Sequence, residues 1–325
     1  NVGDILLGCY GSAYVVYGTA TQRAAFSLSA LGTQGFSIRD ANSNGFGQYT
    51  SRAGDVNRDG LQDFIVGDIY NAGGGRAVIF FGSRVRTDIV MSSFVSGVTG
   101  FRVIAPYNTY RFGSTLSSGG DLNGDGFADI IVGGYKSSTG AVWLGAVIFG
   151  HSNKTAFTDQ LIASNTSVSN GFILRGTGSY FAASEAGDFN HDGYDDIVVS
   201  SPNLPNAIGT SNCGAAYLIL GKATASLADV NLGTFVSSAT TGIRIFGGAN
   251  GDRAGYVVSG AGDLNGDGFA DILVGAPGVK YPSDTVGAVY VIYGHNTSRP
   301  FVDINLGTYT THVFYGPDAA GVLGF

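Results

Sequence analysis

The sequence predicts an all-β fold, a β-propeller of four-stranded antiparallel blades, on three observations. Glycine is abundant, charge is scarce, and one nine-residue acidic motif recurs four times at a near-constant interval. Gly accounts for 53 of 325 residues, about twice the usual share, while charged residues make up 13%, against roughly 25% in an average soluble protein. Gly at that density implies many tight turns with positive φ, and hence many short strands. With 44% apolar residues, 21 Phe and 17 Tyr, the chain has ample material for a buried core.

The repeat organises everything else. Asp55-Val-Asn-Arg-Asp-Gly-Leu-Gln-Asp63, Asp121-Leu-Asn-Gly-Asp-Gly-Phe-Ala-Asp129, Asp188-Phe-Asn-His-Asp-Gly-Tyr-Asp-Asp196 and Asp263-Leu-Asn-Gly-Asp-Gly-Phe-Ala-Asp271 align without gaps, their first aspartates 66, 67 and 75 residues apart. The same elements surround each motif. A short run such as Gly100–Ile104 comes first, and a strand-like segment such as Phe112–Gly120 then enters the motif. An apolar run such as Asp129–Gly133 leaves it. After a variable loop comes a β-branched and aromatic strand, namely Ala77–Phe81, Ala146–Phe149, Ala215–Leu220 or Ala288–Tyr293. Four short strands separated by turns make one antiparallel sheet per repeat. One such sheet cannot bury both faces, but several packed radially can.

The chain therefore reads as a single domain, residues 1–325, of about five blades. Asn1–Gly8 aligns with Gly268–Gly275, and Leu323–Phe325 aligns with Ala254–Tyr256. Residues 1–18 and 313–325 either complete one composite blade or are truncated blades of a longer, seven-bladed parent. An end inside a strand favours the longer parent.

The motif spacing has a chemical cause. Calcium takes six to eight oxygen ligands, and alternate residues of a tight loop converge on one point. The expected ligands at positions 1, 3 and 5 are Asp55, Asn57 and Asp59; Asp121, Asn123 and Asp125; Asp188, Asn190 and Asp192; and Asp263, Asn265 and Asp267. Gly at position 6 permits the reversal. Position 7 offers a backbone carbonyl, from Leu61, Phe127, Tyr194 or Phe269, and Asp63, Asp129, Asp196 or Asp271 at position 9 closes the shell. An EF-hand would need Glu at position 12, where this chain has Val66, Val132, Val199 and Val274 inside β-type runs. Three aspartates within nine residues repel one another without a cation. Four calcium ions would offset the net charge of −7.

Phe46-Gly47 and Phe112-Gly113 before two of the loops, and Gly275-Ala276-Pro277 after the last, resemble the FG-GAP repeat of integrin alpha subunits. Phe181-Ala182 and Gly255-Tyr256 stand where the other two FG pairs would be. The resemblance implies a propeller with calcium ions in strand-connecting loops on one face and ligand contacts on the opposite face. No inserted metal-dependent adhesion domain is expected, since no gap between repeats exceeds the 75-residue spacing.

Other readings narrow the function. A net charge of −7 argues against a nucleic-acid partner, and no apolar run reaches the length of a membrane span. Cys9 and Cys213 cannot make a disulfide framework and read as two small buried or loop thiols. Asn153, Asn165 and Asn296 begin sequons, which suits a secretory route and an extracellular or cell-surface location. No catalytic residues emerge. There is no Gly-x-Ser-x-Gly elbow, Gly221-Lys222 lacks a P-loop, and His151, His191, His295 and His312 lack zinc-ligand spacing. Chain alternation puts Tyr107, Tyr110, Arg111, Tyr135 and Tyr281 on the face opposite the acidic loops, and Tyr and Arg are the usual interface anchors. The expectation is a calcium-stabilised, non-enzymatic adhesion or recognition module that binds a protein or glycan. The alternatives are a structural subunit that assembles with copies of itself into a filament or coat, and an accessory domain of a secreted enzyme.

Overall fold

The repeat folds as five sheets of four or five strands in a computed structural model. The model describes residues 3–324, apart from 21–24, 71–73, 86, 106–110, 136–141, 163–167, 169, 178–180, 205–211, 225–226, 310–311 and 318–321. The first sheet holds β1 (Ile5–Cys9), β2 (Ser12–Val16) and β3 (Gly35–Arg39), and the second opens with β4 (Phe46–Gly54), β5 (Asp63–Asp68) and β6 (Arg76–Phe80). The chain then lays β7 (Ile89–Val90) parallel on β3 before β8 (Gly100–Ile104) joins β6. The third sheet repeats this with β9 (Thr115–Gly120), β10 (Asp129–Tyr135) and β11 (Val142–Ile148). Next, β12 (Gln160–Leu161) pairs with β8 and β13 (Gly171–Thr177) with β11. The fourth has β14 (Ala182–Gly187), β15 (Asp196–Ser201) and β16 (Ala215–Ile219), then β17 (Val230–Asn231) on β13 and β18 (Gly242–Phe246) on β16. The fifth has β19 (Val258–Gly262), β20 (Asp271–Ala276) and β21 (Ala288–Ile292), then β22 (Ile304–Asn305) on β18 and β23 (Val313–Tyr315) on β21.

These sheets are propeller blades. Their apolar residues alternate between two neighbours, as a period of two requires. In β5 and β6, Val66, Val78 and Phe80 pack toward the first sheet, whereas Ile65, Ala77 and Ile79 pack toward the third. The same division in β15 and β16 sends Ile197, Val199 and Tyr217 to the third sheet, and Val198, Ala216 and Leu218 to the fifth. Four apolar cores thus lie between five successive blades, and β4, β9, β14 and β19 pack side by side as the innermost strands.

Two details depart from the sequence reading. The strand expected over 146–149 begins at Val142, because Trp143 and Leu144 continue the pairing with β13 past Gly145, which interrupts the apolar run. The two-residue strands β7, β12, β17 and β22 add a parallel edge to the preceding blade. They are too short for any periodicity to reveal. Each binds one blade to the next, since the segment carrying it leaves the third strand of its own blade and returns as the fourth.

Candidate metal centres on one face

The four acidic motifs join each innermost strand to the next strand out, so all four loops emerge on one face. Each is built by the same hydrogen bonds. The position-1 carboxylate accepts the amides of positions 5 and 6, at 3.0 and 2.8 Å for Asp55 and at 2.9 and 2.8 Å for Asp121. Asp188 and Asp263 repeat the pattern. The Asn side-chain oxygen at position 3 accepts the position-5 amide, as from Asp59 to Asn57 Oδ1 at 3.0 Å, and the position-5 carboxylate accepts the position-7 amide, as from Leu61 to Asp59 at 3.0 Å. Short polar side chains favour such local turns. Gly60, Gly126, Gly193 and Gly268 at position 6 have φ of 83, 84, 89 and 90°, a region that only glycine enters at little cost.

Position 9 serves differently. Asp63, Asp129, Asp196 and Asp271 are almost fully buried at the start of the second strand of their blades. One oxygen accepts the amide of position 2, from Val56, Leu122, Phe189 or Leu264 at 2.8–2.9 Å. The other accepts the amide of Gly82, Gly150, Gly221 or Gly294, just past the third strand. Burial pushes the Asp63 carboxyl up to about 7 and those of Asp129 and Asp196 up to about 8. The two amide bonds oppose that rise, and the neighbouring loop aspartates add to it. Exposed Asp263 is held below the usual carboxylate range, chiefly by the Gly268 amide. Asp4 accepts the Gly18 amide at 2.8 Å and so occupies position 9 of the first blade.

Positions 1, 3 and 5 are therefore brought together around the amides of positions 5 to 7, while the position-9 carboxylate faces the backbone. Among the described residues no three Asp, Glu, His or Cys side chains gather closely enough to hold a metal ion. Position 3 is Asn in every loop, so each loop offers two carboxylates and one amide oxygen at positions 1, 3 and 5. That all-oxygen set suits a hard divalent cation such as calcium. One amide bond leaves a carboxylate oxygen with further acceptor capacity, so the donor set fits the ion.

The loops also hold one another. Position 8 of one loop donates to the position-1 carbonyl of the loop before it: Ala128 to Asp55, Asp195 to Asp121 and Ala270 to Asp188, at 3.1–3.3 Å. The backbone amides of His151, Lys222 and His295 donate likewise to the position-2 carbonyls of Val56, Leu122 and Phe189, at 2.9–3.0 Å. Position 4 meets position 7 of the next loop, with Arg58 over the Phe127 ring at 5.7 Å and His191 edge-on to Phe269 at 5.7 Å. A Cβ added to Gly124 would come within 2.7 Å of the Tyr194 ring.

A second aspartate per repeat stands in no motif that the sequence analysis identifies. Asp88, Asp159, Asp229 and Asp303 immediately precede β7, β12, β17 and β22 and grip the outer strand of the preceding blade. Asp159 accepts the Arg102 amide and its Nη1, both at 2.9 Å, and Asp229 accepts the Ile173 amide and Arg175 Nη1, both at 2.8 Å. Asp88 holds the amide and hydroxyl of Ser37, and Asp303 holds Arg244 and the Ser237 hydroxyl. Their spacings of 71, 70 and 74 residues, beside the loop spacings, were the available signal.

On the opposite face, Arg111 lies over the Tyr70 ring at 5.7 Å, and exposed Tyr281 stacks on Tyr315 at 4.2 Å. Tyr107 and Tyr110 fall outside the described residues, and Tyr135 is described only as part of β10. Asn153 and Asn296 are exposed, and Asn165 lies outside the described residues. Cys9 is exposed, buried Cys213 donates its thiol to the Leu204 carbonyl at 3.4 Å, and the two form no disulfide. Along the innermost strands, Ser51, Ser117, Ser184 and Ser259 line a cavity of about 370 Å³ together with Arg52 and Glu185, whose ion pair at 3.0 Å joins β4 to β14.

A model of the FG-GAP repeat matches residues 112–144, 182–219 and 254–292. This chain carries FG-GAP repeats. The three matched segments contain the loops at 121–129, 188–196 and 263–271, and the loop at 55–63 lies outside them. Integrin alpha-PS5 of Drosophila melanogaster is 30% identical over 160 residues, 49% of this chain and 14% of that protein. Integrin alpha-8 of Gallus gallus is 29% identical over 199 residues, 59% and 16% respectively. Phosphatidylinositol-glycan-specific phospholipase D of Rattus norvegicus is 40% identical over 73 residues, 22% and 8%. The chain thus spans less than a fifth of the length of these curated relatives. No helix among its described residues is long and apolar enough to cross a membrane.

Proposed function

We propose that this chain is an extracellular, calcium-stabilised recognition module that binds a protein or glycan partner and performs no catalysis. The observation that carries this reading is the repetition of one hydrogen-bonded oxygen-donor loop on four adjacent blades, all on one face. In each loop positions 1, 3 and 5 and the position-7 carbonyl would hold a calcium ion, with Asp63, Asp129, Asp196 or Asp271 bracing the loop from below. Bound calcium would neutralise the clustered carboxylates. The chain's own residues set the loop shape and pass its order from blade to blade through the position-8 amides. The opposite face is left for the partner, with Arg111 and Tyr281 as its described aromatic and cationic contacts. The likeness to integrin alpha subunits supports an extracellular setting, and Asn153 and Asn296 are exposed where glycan could be attached.

Chelation tests the calcium part. Excess EGTA should lower the melting temperature markedly, and an unchanged melt would contradict it. A second reading, assembly with copies of itself, is favoured by exposed apolar side chains on the outermost sheets: Ile5 and Leu7 on β1, and Phe314 and Tyr315 on β23. Light scattering in millimolar calcium separates the two. A monomer near 33 kDa supports recognition, and a polydisperse or filamentous mass supports assembly.

A further inference from the structure

The four loops share one hydrogen-bond scheme, so differences in cation affinity must come from the charges around them. Those charges are uneven. Lys154 Nζ forms an ion pair with Oδ2 of Asp59, the position-5 carboxylate of the loop at 55–63. In the other three loops that oxygen accepts from the neighbouring asparagine instead, from Asn123 to Asp125, Asn190 to Asp192 and Asn265 to Asp267, each at 2.9 Å. Asn57 has lost this partner, and its Nδ2 is buried with no hydrogen bond. Position 4 of the same loop is Arg58, where the others have Gly124, His191 and Gly266. The loop at 121–129 shows the reverse, since Asp195 of the next blade reaches it and accepts the Asp121 amide at 2.8 Å.

On the reading that these loops hold calcium, we propose that the loop at 55–63 is a lysine-gated, weaker site, in which Lys154 occupies the position-5 carboxylate and an incoming cation must displace it. Affinity in oxygen-donor loops follows the net ligand charge. A tethered ammonium on a ligand carboxylate both blocks an oxygen and repels the ion at short range. Lys154 is suited to the role because it sits in a 3-10 turn, with Nζ 5.5 Å from the Phe81 ring centroid. That turn belongs to the segment that crosses from the third blade to grip the second through Asp159. Loading the first loop therefore releases one contact of an inter-blade strap, which the other three loops do not do through a lysine.

The test is a calorimetric titration of the intact chain with calcium chloride, on the wild type and on K154M, K154Q, K154R, D59N and K280M. Lys154 is partly exposed, and Met and Gln keep most of its length beside the Phe81 ring while removing the charge. The wild type should show three tight sites and one weaker by roughly tenfold or more, a gap set by one nearby unit charge. K154M and K154Q should bring the fourth site up to the others, while K154R retains the gap. D59N should delete the weak class alone. K280M, which removes a distant charge, should leave the isotherm unchanged. A fourth site that stays as weak as in the wild type in both K154M and K154Q would overturn the gate while sparing the calcium reading. No calcium uptake by wild type or K154M would overturn both.

Discussion

Asp129 and Asp159 belong to one repeat, 30 residues apart, and differ in almost every physical respect. Asp129 is fully buried at the inner end of its blade, and both oxygens accept backbone amides of that blade, from Leu122 at 2.9 Å and Gly150 at 3.0 Å. Asp159 stands at the outer edge, one-third exposed at 32%, and its partner Arg102 belongs to the preceding blade. The inner aspartate fixes a loop against its own sheet. The outer one fastens a sheet to its neighbour. A propeller needs both, because a well-formed blade still has two apolar faces that only its neighbours can cover.

The comparison is most open to challenge at its deepest point. D129A leaves two buried amides without acceptors, each worth about 1–3 kcal/mol, so chemical denaturation should show a loss of about 4 kcal/mol. D159A removes a one-third-exposed, charge-assisted contact and should lose about 1–1.5 kcal/mol. Equal losses would erase the distinction between bracing and fastening.

Contact between neighbouring loops gives a finer test. Gly124 and Gly266 share position 4 and similar φ, +70° and +75°, but a Cβ at 124 meets the Tyr194 ring whereas one at 266 meets nothing within 4 Å. G266A should therefore show only the backbone penalty, about 1 kcal/mol. G124A should lose about 2 kcal/mol, since the next blade's ring must also move. If the two variants melt together, the loops do not press on one another as the structure shows.

The smallest effect belongs to Arg52. Its pairing with Glu185 links β4 to β14, but the arginine side chain is 75% exposed, so R52A should change stability by no more than about 0.5 kcal/mol. A larger loss would mean that the innermost strands depend on this pair as well as on the loops.

The same contrast explains what could be read from the sequence. The inner aspartates sit in a nine-residue motif whose Gly and Asn positions are dictated by loop geometry, so four copies announce both the blades and the candidate cation loops. The outer aspartates sit beside strands of two residues, and their partners change from Ser37 to Arg102, Arg175 and Arg244, which leaves only a loose interval to notice. Strand Val142–Ile148 is longer than its sequence shows because Gly145 breaks the alternation, although pairing with β13 continues through it. Lys154 was invisible for another reason. Its contact with Asp59 joins residues 95 apart through the inter-blade crossing, which no local pattern records.

Equilibrium dialysis of the native chain against millimolar calcium, with bound metal counted by atomic absorption, tests the central claim most directly. The account predicts four calcium ions per chain, one for each acidic loop. No calcium above the level bound by a chain carrying D59N, D125N, D192N and D267N together would contradict it.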